Sequence, residues 1–70
     1  MSALEKRILQ EFSESHHGVL GCECEWNNTR YSTIRDLENK GLLKYHYFAD
    51  GFVYFIITEL GRNEIKNIAA

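Results

Sequence analysis

Asp50-Gly51 falls between two runs rich in aromatic and branched residues, Leu42-Leu43-Lys44-Tyr45-His46-Tyr47-Phe48 before it and Phe52-Val53-Tyr54-Phe55-Ile56-Ile57-Thr58 after it. A two-residue loop is a tight way to reverse an extended chain. Both of its residues take positive φ, which glycine tolerates freely and aspartate nearly so. After the turn, Val53, Phe55 and Ile57 alternate with Phe52, Tyr54, Ile56 and Thr58, the two-residue period of a strand. Tyr45, Tyr47 and Phe48 suit the strand that pairs with it. Any fold of this chain must therefore accommodate a β-hairpin in its second half.

Helical signals flank the hairpin. Upstream, Asn28 or Thr29 can cap a helix over residues 29–40. Its inner face would hold Ile34, Leu37 and Gly41, with Arg30 or Tyr31 one turn earlier, and Ser32, Arg35, Asp36 and Asn39 would stand on the opposite side. Gly41 ends it and turns the chain towards Leu42 and Leu43. Downstream, Thr58 can cap a last helix with an apolar stripe of Leu60, Ile65 and Ile68. At the start of the chain, Ser2 and Glu5 have capping-box spacing, and Leu4, Ile8, Leu9 and Phe12 share one face, which predicts a first helix over about residues 3–15. Gly18 is its left-handed exit. Between Val19 and Asn28, Cys22 and Trp26 lie four apart and suit the buried face of a short second helix, broken by Asn27 and Asn28. The expected order is α-α-α-β-β-α, one small α+β domain spanning residues 1–70.

Composition sets limits on function. The hydrophobic share of 44% is that of a globular chain with a core rather than a disordered one. No apolar run reaches the roughly 20 residues of a membrane span. MSALEKRILQ is charged and amphipathic, unlike a signal peptide. Two cysteines without an export signal imply reduced thiols and a cytoplasmic setting. The net charge of −2 is uneven: Arg30, Arg35, Lys40 and Lys44 outnumber Asp36 and Glu38, so residues 30–44 form a basic segment on an acidic body. A local patch of this kind can meet phosphates even when the whole chain is acidic.

Two motifs carry a resemblance. Ile34-Arg35-Asp36-Leu37-Glu38-Asn39-Lys40-Gly41-Leu42-Leu43 is similar to the "L-x-x-L-x-x-K-G-L-I" end of the recognition helix in winged helix-turn-helix transcription regulators. This broad group includes the MarR-like and PadR-like repressors. Thr58-Glu59-Leu60-Gly61-Arg62 resembles the "L-T-x-x-G-R" that follows their wing. With the hairpin between them the motifs span residues 34–62, in the family's order. The resemblance implies a winged helix that binds double-stranded DNA as a homodimer, with the 29–40 helix in the major groove. Asn28, Thr29, Tyr31, Ser32 and Arg35 would then face the groove, Arg30 would join the DNA-binding set beside them, and Lys40 and Lys44 would meet phosphates. Arginine can pair with a guanine edge, while the shorter polar groups reach bases or phosphates. The small Gly61 would let the last helix pack closely on its neighbours. Asp50 makes the wing tip acidic, so the basic segment rather than the wing is the expected contact.

Other chemistries have thinner support. His16, His17, Cys22 and Cys24 are metal-ligand types within nine residues. Cys22-x-Cys24 on a helix would point its thiols about 200° apart, against convergence on one ion. A metal or redox sensor therefore stands as an alternative, as does a winged-helix adaptor that binds protein without DNA. The plainer expectation has Cys22 in the core. Six hairpin aromatics exceed what one buried face needs, which predicts dimerisation through the hairpin, the first helix or the last helix. No nucleophile elbow, glycine-rich phosphate loop or HExxH is present, so neither catalysis nor a cofactor is expected.

Overall fold

The computed structural model describes residues 1–23 and 29–69. They form α1 (Ala3–Glu14), a 3-10 turn (His16–Gly18), β1 (Val19–Glu23), α2 (Thr29–Asn39), β2 (Leu43–Ala49), β3 (Phe52–Ile57) and α3 (Glu59–Ala69). The class is α+β, with the strands in one antiparallel sheet of order β1-β3-β2.

Three of the predicted turn signals have physical counterparts, whereas α1 ends at Glu14 with an extended Ser15 as its cap, and Gly18, at a φ of 71°, closes the 3-10 turn that follows rather than the helix. The Ser2 hydroxyl accepts from the Glu5 backbone N–H at 3.1 Å while Glu5 accepts from that of Ser2 at 3.0 Å, closing a capping box on α1. Gly41 has a φ of 80°, and the Gly41 and Leu42 N–H groups donate to the Glu38 and Leu37 carbonyls, a Schellman ending for α2. Asp50 and Gly51 both have positive φ, as a two-residue hairpin loop demands.

Three further expectations are corrected. Val19–Glu23 is a strand, not part of a second helix, so the order among the described residues is α-β-α-β-β-α. Leu20 and Cys22 face the core opposite Phe55 and Val53, and Gly21 lies beneath the Tyr54 ring. That pairing makes β3 the central strand and satisfies its second backbone edge, a gain the four-residue spacing of Cys22 and Trp26 could not outweigh. Trp26 and the rest of the expected helix lie outside the described residues. Leu4 is exposed, and α1 buries Ile8, Leu9 and Phe12 instead. On α3, Leu60 and Ile68 are exposed, because Gly61 and Ile65 are the residues turned towards the core.

The core lies between α1, α2 and one face of the sheet, with Phe12 and Phe55 its largest fully buried side chains. Burying each contributes roughly 1.5–3 kcal/mol. Gly61 closes this core at the edge: a methyl group there would run into the Leu42 carbonyl oxygen and come within 2.7 Å of Ile57. The close packing expected of Gly61 is thus present. Thr58 fixes the same corner. Its hydroxyl donates to the Gly41 carbonyl at 2.7 Å and accepts from the Gly61 N–H at 3.0 Å, capping α3 while tying it to the end of α2.

Between Tyr45 and Tyr47 the β2–β3 register shifts by one residue, so His46 is bulged. Tyr45 opposes Phe55 on the core side, whereas Tyr47 opposes Tyr54 on the other. Without the bulge the two tyrosines would share a face.

Candidate nucleic-acid interface

α2 presents two unlike faces. Thr33, Ile34 and Leu37 are buried, whereas Thr29, Ser32, Arg35, Asp36 and Asn39 are exposed. The Thr33 hydroxyl turns back to the Thr29 carbonyl at 2.9 Å, which lets this polar residue sit inside without an unpaired group. The exposed row follows helical spacing, so its side chains project together from one side of the helix.

The basic groups near this face are drawn into ion pairs. Arg30 is half-buried and reaches Glu11 on α1 at 3.1 Å. Arg35 lies 3.0 Å from Glu38, and its guanidinium donates to the Tyr31 hydroxyl at 3.2 Å. The Tyr31 hydroxyl foremost, then Glu38, push the Arg35 pKa up, so its charge is secure. Tyr31 packs its ring against the core and thereby sets where Arg35 stands. Lys40 pairs with Glu5 at the start of α1. The Arg30 and Arg35 pairs lie at the surface and contribute only about 0–1 kcal/mol each, so a phosphate or base edge can displace their carboxylates. The displaced carboxylates remain close and repel a phosphate.

The structure therefore brings together only part of the expected DNA-contact set. Thr29, Ser32 and Arg35 share the exposed face, with Arg30 and Tyr31 partly buried at its flank. Lys40 stands beyond the C-terminal end of α2. Lys44 opposes Ile56 on β3, which places it on the sheet face away from the core and apart from the α2 row. Asn28 lies outside the described residues.

Cys22 is buried on the core side of β1, the position expected of a structural cysteine, and Cys24 lies outside the described residues. Among the described residues, no group of three or more His, Cys, Asp or Glu side chains is arranged to hold a metal ion. No helix among them is long and apolar enough to cross a membrane.

Sequence reasoning missed one feature. His16, His17, His46, Val19, Tyr47 and Tyr54 line an open groove of about 690 Å³ on the sheet's outer face. Tyr47 and Tyr54 stack there with ring centroids 4.4 Å apart. Their convergence depends on β1 being a strand and on the bulge at His46. Neither has a spacing signal in the chain.

No known protein family, curated protein or solved structure matches the chain.

Proposed function

We propose that this chain is a small winged-helix domain that binds double-stranded DNA sequence-specifically through α2, as a homodimer, and regulates transcription. The observation that carries the reading is the exposed polar row of α2, with Arg35 at its centre, on a helix whose other face is buried and whose end leads directly into a hairpin. An isolated helix face of this kind fits a major groove, where a few side chains read base edges. Arg35 is assigned the base-edge contact. Thr29 and Ser32 are assigned contacts to bases or the phosphate backbone, and Arg30 a phosphate contact once Glu11 is displaced. Lys44 is left out of the contact set because it stands on the other side of the sheet. In a dimer, two α2 helices would enter successive major grooves about 34 Å apart.

The test is equilibrium binding to labelled duplex across a salt series. The reading expects the logarithm of affinity to fall linearly with the logarithm of salt concentration, and affinity to drop on Arg35→Ala. Salt-independent binding, or affinity unchanged by Arg35→Ala, overturns the mechanism.

A second reading is favoured by the ion pairs themselves. Arg30, Arg35 and Lys40 each face a carboxylate, and the chain is acidic overall, which suits a helix face that docks on a protein. That adaptor would show no duplex binding at low salt.

A further inference from the structure

We propose that β2 is the dimer surface: two copies pair their β2 strands antiparallel, edge to edge, about a two-fold axis at Tyr47, and so join two sheets into one. This rests on the homodimer reading above and assigns its surface.

β2 is an outer strand of the sheet, and among the described residues no strand pairs with its far side. An open edge offers a row of backbone donors and acceptors to another strand. Three of its side chains are aromatic and about half-exposed: Tyr45 is 50% exposed, Tyr47 45% and Phe48 57%. Aromatic groups clustered on an open edge mark a contact surface rather than a solvated one.

The strand is also complementary to itself. Residues paired across antiparallel strands lie on the same face, so a partner must match face to face. Along β2, Tyr45 and Phe48 lie on the core side, and Lys44, Tyr47 and Ala49 on the outer side, because His46 is bulged. A two-fold axis at Tyr47 that skips His46, as β3 already does, sets Tyr47 against the partner's Tyr47 on the outer face. Phe48 then meets the partner's Tyr45 on the core side. Lys44 falls opposite the partner's Ala49, next to the partner's Asp50. Lys44 stands near the start of β2 and Asp50 in the turn just past its end, so antiparallel self-pairing brings opposite charges near each other twice, whereas parallel pairing would bring like charges together. A lysine and a bulge are devices that usually guard an edge. In this register the lysine finds a carboxylate and each bulge lies beside the partner's Phe48.

The test is cross-linking joined to a mass measurement. Tyr47→Cys is made together with Cys24→Ser, leaving the buried Cys22 in place. Under mild oxidation it should form a covalent dimer at least ten times faster than a Ser32→Cys control in the same background. Lys44→Glu should weaken the dimer roughly fivefold per opposed pair, the upper range for a cross-strand charge pair. If Tyr47→Cys fails to fold, nuclear Overhauser contacts between differently labelled copies of the unaltered chain replace it, with Phe48 expected to touch the partner's Tyr45. A dimer by native mass with neither cross-link nor contact overturns the β2 surface and leaves the homodimer reading standing. A monomer at micromolar concentration overturns both. Duplex binding is measured independently of either.

Discussion

Arg35 lies 3.0 Å from Glu38 on the same side of α2, so the cation to which the proposal assigns the base-edge contact is held by a carboxylate from its own helix. The pair is exposed, which makes it cheap to exchange and sensitive to salt. Glu38→Gln is expected to raise duplex affinity at low salt, with the gain shrinking as salt rises. Arg35→Ala should cost about 1–3 kcal/mol of binding and relax the preferred base at one position. Fluorescence anisotropy on matched duplexes measures both. A Glu38→Gln variant that binds less well would contradict this arrangement.

Acid stability should depend on Lys40. Its ammonium, then the Ser2 backbone N–H, lower the Glu5 pKa from its ordinary 4.5 to about 2. A carboxyl more acidic in the folded chain than in the unfolded one favours folding when ionised. Its contribution is complete above about pH 4.5 and is lost as the pH falls towards about 2. Lys40→Met should flatten that part of the curve of unfolding free energy against pH, as measured by urea titration. An unaltered slope would show that the pair contributes nothing.

Gly61→Ala should destabilise the fold although alanine is the better helix former. The added methyl meets the Leu42 carbonyl, which belongs to the backbone and cannot rotate aside. Overpacking of this sort costs about 1–3 kcal/mol, against roughly 1 kcal/mol regained in helix propensity. In a domain of this size each kcal/mol lowers the melting temperature by about 4–8 °C. A rise in melting temperature by circular dichroism would rule out the close approach.

Thr58→Val keeps the shape of the side chain and removes its hydroxyl. The Gly61 N–H loses its acceptor and the Gly41 carbonyl its donor. Losing an N-cap typically costs about 1 kcal/mol, and the tie to the end of α2 should carry the loss above that figure. Urea unfolding at neutral pH reads it directly; a variant as stable as the parent would mean that the corner is held by packing alone.

The parts legible in the sequence were those set by local chemistry. Ser2 with Glu5, Gly41, Asp50-Gly51 and Thr58 each act over two to five residues, and each does what its spacing implies. The strand character of Val19–Glu23 was hidden because it depends on β3, some thirty residues away, and Gly21 alone reads as a weak strand residue until Tyr54 lies over it. The bulge at His46 was equally invisible, and with it the separation of Tyr45 from Tyr47. The basic segment 30–44 was visible as charge in the chain. That Glu5, Glu11 and Glu38 would neutralise three of its four cations, and that Lys44 would stand on the far side of the sheet, emerged only from the packing of α1, α2 and β2.

The central claim, that α2 reads duplex DNA, is tested most directly by selecting bound sequences from a random duplex library with the purified chain and sequencing each round. The account predicts enrichment of a two-fold symmetric site whose half-sites are about one helical turn apart, 10–10.5 base pairs, and loss of that enrichment with Arg35→Ala. A pool that stays unenriched through successive rounds at low salt would contradict it.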